Sequence, residues 1–250
     1  MKKIIICTFL FFLNVPFLSK SYGWGFKRNN CHEQPYIGSY EEEIEDTNTY
    51  YVGSSEEKIV YLTFDAGYDN GNLIKILDTL DEKNVTGTFF LTGDFLTRFS
   101  DLTKEIANRN HVVGNHTWNH KNITKLSNTE LIEEVRSVEE KYYELTGKEM
   151  DKFFRPPAGN FNHESLVKIK NLGYSTIFWS VAYVDWKTNE QGNVEKSVNS
   201  VINNLHNGAI ILLHTVSSDN TEALPIIIDK IRQEGYEIKP LYNLLTNISI

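Results

Sequence analysis

Six polar residues in this chain could together hydrolyse an amide, if folding brings them together: Asp65, His116, His120, Arg155, Asp185 and His214. His116 and His120 stand four apart, so one helical turn would put both imidazoles on one side. Two neutral imidazoles bind a divalent ion of the zinc or cobalt type, which polarises an amide carbonyl and acidifies a bound water. A carboxylate such as Asp65 takes the water's proton, and an arginine such as Arg155 keeps that carboxylate ionised and oriented. Backbone N–H groups at the Ala158-Gly159 turn are expected to help hold the tetrahedral oxyanion. A protonated His214 then donates to the departing amine, with Asp185 favouring its imidazolium form.

Taken singly, each residue has a plainer explanation. Asp65 could form a turn, a bare H-x-x-x-H is a weak metal signal, and Arg155 before two prolines could be a surface charge. Asp185-Trp186 could be a loop with a buried indole. His214 stands out because the apolar run Ile210-Ile211-Leu212-Leu213 ends on it. The set as a whole argues for chemistry. A glycoside hydrolase would need two carboxylates facing one bond; Asp65 and Asp185 are available, but the histidines and the arginine would then be idle.

A repeating scaffold must position these groups. Strand-like stretches recur at 59–64, 87–91, 111–115, 153–155, 175–179, 209–213 and 236–239, with helical stretches between them, clearest at 72–80, 128–145, 195–206 and 222–233. Gly147, Gly173, Gly208 and Gly235 follow helices, where a C-cap is wanted. About seven strand–helix units without a repeated motif predict a parallel α/β fold, either a closed barrel or an open doubly wound sheet. No glycine-rich loop follows the first strand, which disfavours the open sheet. In such folds the chemistry gathers at the carboxyl ends of strands. Asp65 ends the first strand, His116 and His120 the third, Arg155 the fourth and His214 the sixth; Asp185 lies just past the fifth.

With 250 residues, 40% hydrophobic and 12% aromatic, the chain suits one globular domain with a core. Residues 1–21 read as a secretory signal: Lys2 and Lys3 precede an apolar run from Ile4 to Leu18, and Ser19 and Ser21 follow in a small-x-small pattern. A membrane anchor fits less well, since the run is short for a span of about 20 residues and Asn14 and Pro16 interrupt it. Export would place the protein in the cell envelope or outside the cell. Removing the signal moves the net charge from −8 to −11, because Lys2, Lys3 and Lys20 leave and no acid does. That acidity, with no basic run, argues against nucleic acid or an anionic membrane as partner. Cys7 leaves with the signal and Cys31 is then alone, so no internal disulfide is expected. Residues 22–57, polar and acidic, read as an extended arm packed on a domain spanning 58–250, with Trp24 and Phe26 as anchors. Asn84-Val85-Thr86 and Asn122-Ile123-Thr124 match the glycosylation pattern, a match common by chance.

From about 58 to 242 the chain resembles the polysaccharide deacetylases, the NodB-homology group of carbohydrate esterases. The motifs that carry the resemblance come in order: T-F-D-x-G at 63–67, H-T-x-x-x-H at 116–120, R-P-P-x-G at 155–159, D-W at 185–186 and L-L-H at 212–214. It implies a distorted (β/α)7 barrel, here with an N-terminal extended arm. By motif position it makes Asp65 the base, His116 and His120 the metal ligands and His214 the acid. Arg155 then holds the base, Asp185 tunes the acid, and Trp186 and Leu212 wall the acetyl pocket. Tyr68, Ala158 and Gly159 join the substrate-binding surface.

The segments Trp24-Gly25-Phe26, 64–71, 178–186 and 214–217 resemble one branch in particular, the deacetylases that prepare muramic δ-lactam in the spore cortex. There, N-acetylmuramic acid already stripped of its peptide by a muramoyl-L-alanine amidase loses its acetyl group, and the freed amine closes on the lactyl carboxyl. The resemblance thus implies peptidoglycan strands as partner and a divalent metal, zinc or cobalt, as cofactor. One position departs from the wider family, in which a second aspartate after the base is the third metal ligand. Here it is Ala66, which coordinates nothing, leaving Asp65 itself, Asp69 or Asn70 to fill the gap. The lactam branch generally lacks that aspartate too. Two other functions compete: deacetylation of another polysaccharide (N-acetylglucosamine polymers, chitin-like oligomers or xylan), and glycan binding without catalysis.

Overall fold

This computed structural model describes residues 20–28 and 31–246; of the expected signal segment, only Lys20 and Ser21 lie among them. The chain opens with β1 (Tyr22–Gly23), α1 (Tyr40–Ile44) and β2 (Thr49–Tyr50). An alternating series follows: β3 (Ile59–Ala66), α2 (Leu73–Glu82), β4 (Thr88–Leu91), α3 (Gly93–Arg98), α4 (Ser100–Asn108), β5 (Val112–Asn115) and α5 (Asn128–Thr146). It continues through β6 (Phe153–Phe154), β7 (Asn160–Phe161), α6 (His163–Asn171), β8 (Ser175–Ile177) and α7 (Val194–Ile202). The last elements are β9 (Ile210–His214), α8 (Ser218–Gln233), β10 (Glu237–Ile238) and α9 (Tyr242–Thr246).

Strands β9, β3, β4, β5, β6, β8 and β2 lie side by side in that order, all parallel, and β10 pairs with the first residues of β3. The sheet curls, and its ends meet through two single bridges, Val181 to Ile211 and Val52 to Ala209. The result is the distorted parallel barrel that the family resemblance implies, one of the two folds left open by the strand–helix pattern. All seven predicted strand stretches contribute to it.

Alternation along β3 sorts its residues into two layers. Tyr61 packs inside the curl with Phe90, Val112, Phe153, Ile177 and Ile210, while Val60, Leu62, Phe64 and Ala66 join the apolar layer beneath the helices. Thr63 and Asp65 share the inner face with Tyr61, two polar groups at the carboxyl end of an otherwise apolar column. Helix α5 is closed at both ends: Ser127 and Glu130 form a reciprocal capping box, and Gly147 at φ 68° supplies the left-handed turn. Helix α8 starts four residues before the predicted 222, because Ser217 caps it by accepting the Asn220 N–H. Helix α7 stops at Ile202, four residues short of the predicted end.

The segment expected to be a packed arm is also part of the barrel. Asn48 and Tyr50 carbonyls accept the N–H groups of Thr176 and Phe178 at 2.9 and 2.8 Å, which makes β2 an edge strand. Further upstream, β1 pairs antiparallel with β7. Trp24 stacks on Phe178 with ring centroids 4.1 Å apart, and its indole N–H donates to the Trp179 carbonyl at 2.9 Å. Trp24 is therefore the anchor that the sequence indicated. Phe26 is half-buried, under the Arg28 guanidinium. Among the described residues no helix is long and apolar enough to cross a membrane.

The ends of the sheet meet at a glycine contact. Gly53 donates its N–H to the Gly208 carbonyl at 2.8 Å, and a Cβ on Gly208, which sits at φ 75°, would lie 2.6 Å from the Gly53 carbonyl carbon. Gly208→Ala is expected to destabilise the fold by about 2 kcal/mol, read as a lower denaturation midpoint. Wild-type stability in that variant would show that the closure is not held by this contact.

Candidate active site

Arg155 follows β6 and has no exposed surface. Its Nη1 donates to Asp65 Oδ1 at 2.7 Å, its Nη2 to Thr63 Oγ1 at 2.8 Å and its Nε to the Ile177 carbonyl at 3.1 Å. Phe90 offers its ring face 4.1 Å from the guanidinium. Burial alone would raise the Asp65 carboxyl, but the Arg155 charge, with smaller help from His116 and His214, outweighs it and holds the pKa below the ordinary carboxylate value. Asp65 Oδ2 is left facing His116 Nε2 at 3.5 Å.

His116 is buried, and its Nδ1–H donates to the Arg155 carbonyl at 2.8 Å, so the Nε2 lone pair is free. Burial pushes its pKa down to about 4, against the pull of Asp65. The His120 ring lies 4.9 Å away between centroids, and burial lowers its pKa as well. Both rings are therefore neutral at ordinary pH. The pair meets through a loop, not through the expected helical turn. Thr117 and His120 have positive φ, 66° and 54°, and Asn115 Oδ1 starts the loop by accepting the Thr117 N–H at 2.9 Å.

Opposite this pair, His214 ends β9 in register with Asp65 on β3. Its Nδ1–H donates to Asp185 Oδ1 at 2.7 Å and its backbone N–H to Oδ2 at 2.8 Å. Burial lowers the His214 pKa, but the Asp185 hydrogen bond and charge more than reverse this, so it lies above the ordinary imidazole value. The Asn220 side-chain amide donates to Asp185 as well. Asp65, His116, His120 and His214 open into one cleft of about 980 Å³, whose wall includes Leu212, Trp186, Trp179, Ala158 and Tyr68.

Residues 53–177 match the polysaccharide deacetylase family. Over 223 residues the chain is 43% identical to the peptidoglycan-N-acetylmuramic acid deacetylase PdaA of Bacillus subtilis, covering 89% of this chain and 85% of that one. The chain belongs to the polysaccharide deacetylase family. It is also 44% identical to an uncharacterized 30.6 kDa protein of Geobacillus stearothermophilus, covering 89% of this chain and 84% of that one. The structure of PdaA, a family 4 carbohydrate esterase, superposes with a TM-score of 0.88 at 42% identity, covering 91% of this chain and 97% of PdaA.

Against the family's implied roles, Asp65, Arg155, His116, His120, Asp185 and His214 come together, and Leu212, Trp186, Tyr68 and Ala158 line the cleft. Trp186 stands half exposed at the mouth, its ring 5.3 Å from that of His214. Tyr68 is half exposed with the Arg98 guanidinium 4.9 Å over its ring. Gly159 departs from expectation. Its N–H is used within the turn, donating to the Pro156 carbonyl at 3.0 Å, and a Cβ there would meet Trp24 at 2.8 Å. Gly159 serves the approach of the arm and cannot also offer that N–H to an oxyanion.

Members of the family are generally metal-dependent, so the donors present decide how well an ion fits. Among the described residues no group of three or more His, Cys, Asp or Glu is arranged around a common ion position. Ala66 points into the apolar layer beneath the helices. Asp69 accepts the N–H groups of Gly71 and Leu73, and Asn70 ties to the Val216 carbonyl and to Asn72, so neither fills the third position. Two neutral imidazoles beside the Asp65 carboxylate fit a borderline divalent ion with few protein ligands.

Several contributors escape a reading of motifs. Thr63 shows itself only by alternation, two residues before Asp65 on the same face. Asn115 and Asn220 carry no motif signal, though each sits at the strand end or helix start that adjoins a site histidine.

In Asp185→Asn, His214 should titrate at a lower pH than in the wild type, as followed by imidazole NMR. An unchanged titration would remove Asp185 as the cause of the raised pKa. The sign for stability follows from the same shift. A raised imidazole contributes fully below its unfolded value of about 6.5, and that contribution fades as pH rises through the folded value.

Proposed function

We propose that this protein removes the acetyl group of N-acetylmuramic acid in peptidoglycan strands stripped of peptide, and that the freed amine closes on the lactyl carboxyl to form muramic δ-lactam in the spore cortex. The observation that carries the reading is the pair of dyads, Arg155–Asp65 and Asp185–His214, whose Asp65 and His214 end adjacent strands at one cleft. Similarity to PdaA over most of both chains supports the choice of substrate.

In this reading the acetamide lies between the two dyads, with its methyl group against Leu212 and Trp186. Asp65, kept ionised by Arg155, takes a proton from the attacking water. The C–N bond breaks as the His214 imidazolium, favoured by Asp185, gives its proton to the departing nitrogen. Acetate and a free amine result. His116 and His120 would hold a divalent ion, zinc or cobalt, which when bound supplies polarisation of the acetyl carbonyl. A glycan-binding protein without catalysis would need no matched base and acid, and two such dyads favour the enzyme.

Closure to the lactam requires a free lactyl carboxyl, so an amidase that cuts the peptide from muramic acid must act first. The signal-like segment at 1–21 supports export to the envelope.

Peptidoglycan strands treated with such an amidase, incubated with the protein and followed by mass spectrometry, test the reading. Loss of acetyl and then of water is expected, with a fall of roughly 100-fold or more in Asp65→Asn. Deacetylation of chitin-like oligomers or xylan instead would move the substrate within the family. Inactivity on every glycan, with folding intact and divalent metal supplied, would leave a binding protein.

A further inference from the structure

The loop carrying His120 has no helix or strand of its own to hold it, and Thr117 and His120 both adopt a left-handed backbone conformation. His116 needs no such support, since it continues from β5 and is tied to the Arg155 carbonyl. A residue from another element must therefore fix where His120 stands relative to His116. Glu134, in the second turn of α5, is buried, with 3% of its surface exposed. Its Oε2 accepts the Asn119 N–H at 2.7 Å, and its Oε1 accepts the Asn119 side-chain amide at 2.7 Å and the Lys121 ammonium at 2.9 Å. Its own backbone carbonyl accepts the Trp118 N–H at 2.9 Å. One residue thus takes four donors from positions 118, 119 and 121, on both sides of His120.

The loop's other face is closed by packing. The Gly93 N–H donates to the Thr117 carbonyl at 3.2 Å, and a Cβ on Gly93 would lie 2.3 Å from the Trp118 indole. Against that fixed wall, the Glu134 carboxylate is the polar anchor. We infer that Glu134 is a positioning residue that sets the separation and orientation of His120 relative to His116, and through them the site's hold on a divalent ion. This rests on the reading of the two histidines as an ion-binding pair. A carboxylate suits the task because it only accepts, and every group aimed at it is a donor. A glutamine there would turn an amide N–H₂ towards a donor and break part of the clamp.

The test compares wild type, Glu134→Gln and Asn119→Ala by two readouts. Imidazole NMR of the metal-free proteins should show His120 shifted and broadened in Glu134→Gln, with His116 unchanged. Titration with zinc or cobalt, followed by calorimetry and the cobalt visible spectrum, should show affinity lower by about 10–100-fold. Melting and circular dichroism verify that each variant is folded. If Glu134→Gln does not fold, Asn119→Ala removes one donor while leaving the carboxylate partnered, and the same pattern is expected at smaller amplitude. Sharp, unmoved His120 resonances together with unchanged ion uptake in the folded variants would overturn the inference. If the wild type itself takes up no ion, the ion-binding reading fails, and the His120 resonances still decide the role of Glu134.

Discussion

A guanidinium without exposed surface costs several kcal/mol to remove from water unless its partners are well placed. Arg155 meets that condition inside the barrel, with Asp65, Thr63 and the Ile177 carbonyl around it and Phe90 against its face. Strands β3 and β6 are not neighbours, so the pair joins two strands across the interior of the curl. The same residue reaches the metal-type histidines through its backbone, since its carbonyl accepts the Nδ1–H of His116. One arginine thus keeps the carboxylate ionised and leaves the His116 Nε2 lone pair free. Were Arg155 lost, a buried carboxylate would remain without its counter-charge, and site and fold would suffer together.

The two carboxylates of the site act in opposite directions. Asp65 is stabilised as an anion by a buried cation, while Asp185 spends its charge on His214 and is held in place by Asn220. Environments that separate proton affinities in this way are how one cleft keeps a base unprotonated and an acid protonated at the same pH. The surrounding wall is mostly apolar or aromatic, which strengthens both interactions by limiting water.

Much of this was legible from residue order. Seven strand stretches were predictable because a strand covered on both faces must be apolar throughout, and the polar residues that end such runs mark the site face. Gly147 marked the C-terminal end of α5 in advance, whereas the Ser127–Glu130 box that starts the helix emerged from the structure. The exceptions have local causes. β2 is two residues long and pairs only with a strand far along the chain, so nothing nearby marks it. Spacing of four placed His116 and His120 together for the wrong reason, since the loop achieves it with left-handed residues and side-chain bonds from Asn115 and Glu134. The Ala158-Gly159 turn offered N–H groups on paper, but hydrogen bonding within the turn had already used that of Gly159.

The proposed reaction needs Asp65 deprotonated and His214 protonated at once. The pH dependence of kcat/KM for wild-type deacetylation tests it most directly. A bell is expected, its acidic limb below the ordinary carboxylate range and its alkaline limb above the ordinary imidazole value of about 6.5. Activity that instead rose with pH through the imidazole range would mean that His214 works unprotonated, and would contradict it.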